Sequence, residues 1–125
     1  MKTYIDTKYY KDTHKGKVPE TELERLIIEA SSYIKTQTFD RVSIKAIPEE
    51  VEKATCLIID KTYNAEEAKK EMGNLKSQNI EGWSETYKTD EEIDAELEKD
   101  KYKILSTYLS DIIGSDGNLL LYRGV

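Results

Sequence analysis

The sequence predicts a mainly α-helical protein, a small bundle of three main helices. Two observations indicate this fold class. Apolar residues recur with a helical period in three stretches, at about 19–37, 48–72 and 89–113. Each stretch also opens on a helix-start signal, either a proline followed by glutamate or a threonine-led capping box. A chain of 125 residues is long enough for a single domain with a modest core.

The first predicted helix, at about 19–37, has an apolar stripe that we expect to face the central helix. The stripe comprises Leu23, Leu26, Ile27, Ala30, Tyr33 and Ile34. Ile28 lies well off this stripe. The preceding residues 1–18 are tyrosine-rich and locally basic, and they predict either a short helix or an extended N-terminal arm.

The second predicted helix, at about 48–72, is the expected centre of the fold, because its apolar arc is wide enough to pack on more than one neighbour. The arc comprises Val51, Ala54, Thr55, Ile58, Ile59 and Thr62. Gly73 is expected to end the helix. Leu57 lies among the charged residues of the opposite face, and together with Ile28 it predicts a contact with another subunit.

The connector between these two helices carries three apolar side chains. Phe39 is expected to tuck under the end of the first helix. Val42 and Ile44 alternate with polar residues, which predicts a short extended piece.

Residues 77–88 alternate with period two, which favours a β-strand or hairpin arm. Trp83 and Tyr87 share one face of this arm. They either cover the local core or anchor a contact between proteins, where such aromatics concentrate binding energy. The sequence offers no strong partner strand, so a neighbouring subunit is one source of pairing.

The third predicted helix, at about 89–113, opens on a capping box formed by Thr89 and Glu92. Its second half is expected to return to the core through Ile104, Leu105, Tyr108, Leu109, Ile112 and Ile113. The C-terminal tail 118–125 is apolar at first and must dock, either within the subunit or on a partner.

The sequence shows no convincing catalytic, cofactor-binding or metal-binding constellation, so we expect no enzyme and no cofactor. His14 lies alone in a lysine-rich segment and is predicted to be a surface residue. Cys56 lies within an apolar run and is predicted to be a buried side chain. The acidic groups fit helix caps and solvated faces. A net charge of −6 and a pI near 4.9 argue against a freestanding nucleic-acid binder. No apolar run is long enough to span a membrane.

Residues along nearly the whole chain nevertheless form an ordered set of motifs. They are Tyr9-Tyr10, Gly16, Val18-Pro19-Glu20, Leu26, Ala30-Ser31, Tyr33-Ile34, Thr38-Phe39, Arg41, Ile47 with the helix 51–63, the segment 81–87 and Leu120-Leu121-Tyr122-Arg123-Gly124-Val125. In this order and spacing the chain resembles the head–tail connector (adaptor, head completion) proteins of tailed bacteriophages and prophages of Gram-positive bacteria. The motif at 120–125 is the most specific.

The resemblance implies a non-enzymatic subunit that forms a ring of about twelve copies under the portal protein. Such rings extend the DNA channel, without specific DNA binding, and carry the stopper or tail-completion protein. The implied location is the head–tail interface of the virion, after assembly in the host bacterial cytoplasm. Combined with the residues above, it predicts subunit contacts at Ile28, Leu57, Trp83 and Tyr87. It also predicts portal docking through Leu120, Tyr122 and Arg123.

Two other readings of the sequence remain open. One is a small helical prophage or host protein that binds or regulates a partner without forming a ring. It predicts a monomer or dimer with no affinity for portal. The other is a nuclease or hydrolase accessory, which would need an acidic or metal-binding cluster.

Overall fold

Helices make up most of the chain, which confirms the predicted fold class. The computed structural model describes residues 3–77 and 89–122, with side chains for 3–73 and 89–122. In chain order the elements are α1 (Thr7–Tyr9), a π-helical turn π1 (Tyr10–His14), α2 (Glu20–Gln37), α3 (Glu49–Ser77) and α4 (Asp90–Leu109). These residues contain no strand, and only one isolated antiparallel bridge pairs Ile113 with Leu119.

Helix α3 is the centre of the fold, as its wide apolar arc predicts. It packs most extensively on α4 and next on α2. Of the predicted arc, Val51, Ala54, Thr55, Ile58 and Ile59 are all buried. Burying an aliphatic side chain of this size contributes roughly 1.5–3 kcal/mol. This face therefore supplies much of the core, and the two flanking helices cover it.

The stripe of α2 meets α3 as expected. Its buried apolar residues are Leu23, Leu26, Ile27, Ala30 and Ile34, while Tyr33 is half-buried against the core. Helix α4 contributes Ile104, Leu105 and Leu109 to the same core.

The capping box at the start of α4 is confirmed. The Thr89 hydroxyl accepts from the Glu92 N–H at 3.1 Å, and the Thr89 N–H donates to the Glu92 carboxylate at 3.2 Å.

Two predicted helix ends are wrong. Helix α3 continues through Gly73 to Ser77, because an exposed glycine costs a helix only about 1 kcal/mol and does not by itself end it. Helix α4 stops at Leu109 instead of reaching 113, since the chain turns back there. The Ile112 N–H donates to the Leu109 carbonyl in that turn. Ile113 is consequently 65% exposed instead of buried.

The connector after α2 also differs from the prediction. Phe39 is not tucked under the helix: the residue is 47% exposed. Phe39 and Asp40 both take left-handed backbone angles, and the Asp40 N–H closes the helix end on the Lys35 carbonyl at 2.9 Å. Residues 42–46 form turns instead of an extended piece, with Val42 buried and Ile44 exposed.

The N-terminal residues adopt the helical alternative. We call residues 3–18 the N-terminal hook. The Asp6 carboxylate caps α1 by accepting from the Tyr9 N–H at 2.7 Å. Tyr4 and Ile5 are buried, and the Tyr4 N–H donates to the Ser31 hydroxyl of α2 at 3.1 Å. The hook is therefore part of the core and not a free arm.

Candidate functional site

Asp60 of α3 fixes the N-terminal hook with both of its carboxylate oxygens. Oδ1 accepts from the Tyr10 hydroxyl at 2.5 Å, and Oδ2 accepts from His14 Nε2 at 2.7 Å. The Tyr10 hydroxyl in turn accepts from the Val18 N–H at 3.3 Å. One carboxylate therefore ties together the two ends of π1 and the entry to α2.

Tyr10 fits this position only because residue 16 is glycine. A Cβ at Gly16 would lie 2.0 Å from the Tyr10 ring carbon Cζ, which is far inside van der Waals contact. The ring is fully buried. Burial, followed by its hydrogen bond to the Asp60 carboxylate, raises the pKa of Tyr10 well above its usual value.

His14 is not the surface residue that the sequence predicts, since its side chain is only 10% exposed. A carboxylate can only accept, so His14 Nε2 carries the proton and donates it to Asp60. Its other ring nitrogen, Nδ1, is buried and has no hydrogen-bond partner in the described part of the chain. No local sequence pattern indicates this pairing, because 46 positions separate the two residues. Cys56 is buried as predicted.

A second polar centre, Arg41, holds the C-terminal segment against the end of α2. Its Nε donates to Asp116 Oδ2 at 2.9 Å. Its Nη1 donates to the carbonyls of Leu119 at 3.0 Å and Leu120 at 3.4 Å, and also to that of Tyr122. We call this arrangement the tail joint. The side chain of Arg41 is only 11% exposed.

The backbone and the partners of Arg41 complete the tail joint. The Ser115 N–H donates to the Arg41 carbonyl at 2.9 Å, and a Cβ at Gly114 would lie 2.5 Å from Arg41 Cβ. The Asn118 N–H, and after it Arg41, lower the pKa of Asp116, so this carboxylate stays ionised. The C-terminal segment is thus fixed by charge and close backbone approach.

Exposed apolar side chains surround the tail joint. We call this set the tail patch, and it comprises Phe39, Ile113, Leu119 and Tyr122. Their exposed fractions are 47%, 65%, 44% and 45%. The guanidinium of Arg41 lies 4.9 Å from the centroid of the Phe39 ring and 5.6 Å from that of Tyr122. The Ile113–Leu119 bridge joins the other two members. Large apolar groups gathered on a surface are typical of protein contacts.

The predicted contact residues fall in different environments. Ile28 is 49% exposed on α2, so it is accessible to a neighbour. Leu57 is half-buried and packs against the core of its own chain. Leu57 is therefore not fully exposed on the polar face, and its contact with another subunit stays a prediction. The hook and the return of the chain after α4 give the bundle more cover than three helices alone would. The arm with Trp83 and Tyr87 lies outside the described residues, apart from Ser77, which ends α3.

The predicted docking residues of the tail also differ in their exposure. Leu120 is 1% exposed and belongs to the core, so it is not available to a partner in this conformation. Its N–H donates to the Ile112 carbonyl at 2.8 Å. Tyr122 is exposed in the tail patch, and Arg123 lies outside the described residues. Of the two alternatives for the tail, docking within the subunit is the one observed as far as Tyr122.

Within residues 3–77 and 89–122, no group of three or more His, Cys, Asp or Glu side chains is placed to hold a metal ion. No helix in these two ranges has both the length and the apolar character needed to cross a bilayer.

In comparisons with known proteins, no family model, curated protein or solved structure matches this chain.

Proposed function

We propose that this protein is a structural head–tail connector subunit, which forms a ring under a phage portal and provides the platform for a stopper or tail-completion protein. The observation that carries the proposal is the tail joint. It presents exposed aromatic and aliphatic side chains on a rigid base immediately before Arg123. That placement agrees with the resemblance, in which the motif at 120–125 is the most specific.

The tail patch suits a docking role because it is fixed before any partner binds. Arg41 donates to the carbonyls of Leu119, Leu120 and Tyr122 in the tail backbone, so Leu119 and Tyr122 lose little conformational freedom on binding. Leu120 has an anchoring role in this proposal: it inserts into the core, Leu121 packs partly against that core, and Leu119 and Tyr122 stay exposed. Arg123 follows directly and supplies a charged donor for a carboxylate or carbonyl of the portal.

Ile28 is the proposed contact between neighbouring subunits. It is exposed on α2, beside a groove that the hook residues Ile5 and Thr7 also line. A closed ring needs two different surfaces on each subunit, and the groove at Ile28 is proposed as one of them. The tail patch, which is proposed to dock on the portal, lies on other elements, so mutation can separate ring formation from portal docking.

The test is the mass of the assembly formed when the purified protein is mixed with the portal protein encoded in the same genome. Native mass spectrometry should show a ring of the protein bound to the portal ring. Tyr122→Asp should weaken that complex at least about tenfold, because it places a charge in the contact. Tyr102→Asp is the matched control, since Tyr102 is 43% exposed on α4 and Tyr122 is 45% exposed.

Three outcomes would contradict the proposal. The first is a protein that remains a monomer or dimer at high concentration and never binds the portal, which is the behaviour of a small regulatory module. The second is equal portal binding by the Tyr122 and Tyr102 variants. The third is tight duplex DNA binding by assembled rings at low salt, because a subunit with a net charge of −6 should let DNA pass.

A further inference from the structure

A cavity of about 400 Å³ lies between the N-terminal hook, the first turns of α3 and the C-terminal half of α4. Its volume is within the range of pockets that hold small ligands. The hook supplies Tyr9, Thr13 and His14, and α4 supplies Tyr108. The tail patch is built from other residues, so the portal-docking proposal leaves this cavity unused.

The wall of the cavity formed by α3 carries a net negative charge. Glu49 and Glu50 line it, with Lys53 as the one cation among its lining residues. Burial is the largest cause that raises the pKa of Tyr9, and the charges of Glu52 and Glu49 add to it. Burial, followed by the charges of Glu49 and Asp6, raises the pKa of Glu52. A positive ligand would relieve this accumulation of carboxylates.

An unsatisfied hydrogen-bond acceptor lies at the same place. His14 lines the cavity, and its Nε2 edge is occupied by Asp60, which lines the neighbouring cleft. In the neutral ring Nδ1 then carries a lone pair, and this atom is buried without a hydrogen-bond partner among the described residues. A buried polar atom in this state costs free energy, and a ligand N–H would remove that cost.

The remaining walls also favour a cation. The rings of Tyr9 and Tyr108 line the cavity from two different elements, and aromatic faces attract ammonium and guanidinium groups. Cys56 contributes a neutral thiol, because burial and the Asp60 charge raise its pKa to about 12. Carboxylates, aromatic rings and a free lone pair are the three groups that recognise an N–H cation.

We infer that this cavity binds an organic cation, an alkylguanidinium or alkylammonium group, with Glu49 and Glu50 providing the charge and His14 Nδ1 accepting an N–H. The same chemistry is found in a free polyamine and in an arginine side chain of a partner protein. The site is independent of ring assembly, so it can be tested on the free protein and can fail without affecting the proposed function.

The first experiment titrates ¹⁵N-labelled protein with n-butylguanidinium and follows the backbone amides and the His14 ring nitrogens by NMR. Saturable shifts at Thr13 and Lys53 are expected, together with an upfield shift of Nδ1 as its lone pair becomes hydrogen-bonded. n-Butanol and butyrate have the same chain length but no positive charge, and they should give no saturable shift. No saturation by n-butylguanidinium up to about 50 mM, or equal shifts with butanol, would overturn the inference.

Charge variants test the assigned roles. Glu49→Gln with Glu50→Gln should weaken binding at least about fivefold, because it removes negative charge from the cavity. Lys53→Met should strengthen binding severalfold, because it removes the positive charge. The matched control is Glu71→Gln, an exposed glutamate on the same helix but roughly 30 Å further along it. Equal effects of the Glu49/Glu50 and Glu71 changes would refute the site.

A final comparison separates the two sources of the cation. Spermidine and the peptide acetyl-Gly-Arg-Gly-amide are titrated in parallel. Tighter binding of spermidine identifies a free polyamine, and tighter binding of the peptide identifies an arginine side chain. Either result supports the site, whereas binding of neither contradicts it.

Discussion

Replacing Arg41 by lysine tests the tail joint most directly, because lysine keeps the positive charge and removes the fork-shaped donor group. The guanidinium reaches Asp116 through Nε and three tail carbonyls through Nη1. A single ammonium on a flexible stem cannot reproduce this planar arrangement. We therefore expect the tail from about residue 110 onward to open more often in Arg41→Lys.

The size of the effect follows from these contacts. The 3.4 Å contact to the Leu120 carbonyl is long and contributes little. The hydrogen bonds that matter are therefore those to the carbonyls of Leu119 and Tyr122. We expect the lysine ammonium to keep about one of these two bonds. A hydrogen bond to a charged group is worth about 1.5–3 kcal/mol. With part of the contact to the Phe39 and Tyr122 rings also lost, we expect destabilisation of about 2–4 kcal/mol.

Two measurements check this figure. Urea unfolding gives the change in global stability. Hydrogen exchange at the Leu120 N–H, which donates to the Ile112 carbonyl, reports opening of the tail alone. Exchange at this amide should be faster by roughly 30- to 1,000-fold. This factor is the expected destabilisation of about 2–4 kcal/mol expressed as a change in the equilibrium constant for opening.

Arg25→Lys is the matched control. Arg25 bonds to three carboxylates, from Glu22, Glu29 and Glu66, but its side chain is 45% exposed. Solvent screens such pairs, so the same substitution should cost less than about 1 kcal/mol. The tail joint would be refuted as a stabilising element if Arg41→Lys stayed within about 0.5 kcal/mol of the unmodified protein, or if Arg25→Lys cost as much.

Three further predictions concern the N-terminal hook and the core. Tyr10→Phe removes the hydroxyl that joins Asp60 to the hook, so urea unfolding should show a loss of about 1.5–3 kcal/mol; an unchanged midpoint would contradict this. Gly16→Ala should destabilise by more than about 2 kcal/mol through its clash with Tyr10, whereas Gly73→Ala, with open space around its Cβ, should stabilise by about 0.5–1 kcal/mol; equal effects in melting would refute the packing argument. Burial raises the pKa of Cys56 from 9.0 to about 12, so its contribution to stability is complete below pH 9 and is lost as the pH rises toward 12. Urea midpoints between pH 8 and 12 should fall accordingly, and Cys56→Ala should reduce that fall.

The helices could be predicted because their signals are local. The stripes of α2 and α3 follow from residues three and four positions apart, and the capping box of Thr89 follows from a neighbour three residues away. The same local rules missed the end of α4. The chain turns after Leu109 so that Leu120 can be buried, and this depends on a residue eleven positions later.

The two polar centres were beyond sequence reasoning for the same reason. Arg41 contacts residues 75–81 positions away, and Asp60 contacts residues 46 and 50 positions away. Each lies next to another charged residue, Asp40 before Arg41 and Lys61 after Asp60, and no neighbour in the sequence marks the distant partners. The local pattern therefore predicts His14 at the surface and Leu57 on an exposed face, whereas the His14 side chain is only 10% exposed and Leu57 is half-buried. A lone charge with no local partner can have a distant one, but the sequence alone does not say which.

These two centres also narrow where partners can bind. The sequence alone leaves the N-terminal residues as a helix or a free arm, and it offers Leu57 and the whole tail as contact segments. Asp60 engages the hook inside the subunit, and Arg41 does the same for the tail as far as Tyr122. The tail patch and the exposed Ile28 are the predicted contact surfaces that stay accessible among the described residues. A partner that binds these surfaces meets a rigid template, because Arg41 and the core already bear the cost of ordering the tail. Weakening the tail joint by Arg41→Lys should therefore reduce docking even though Tyr122 itself is unchanged.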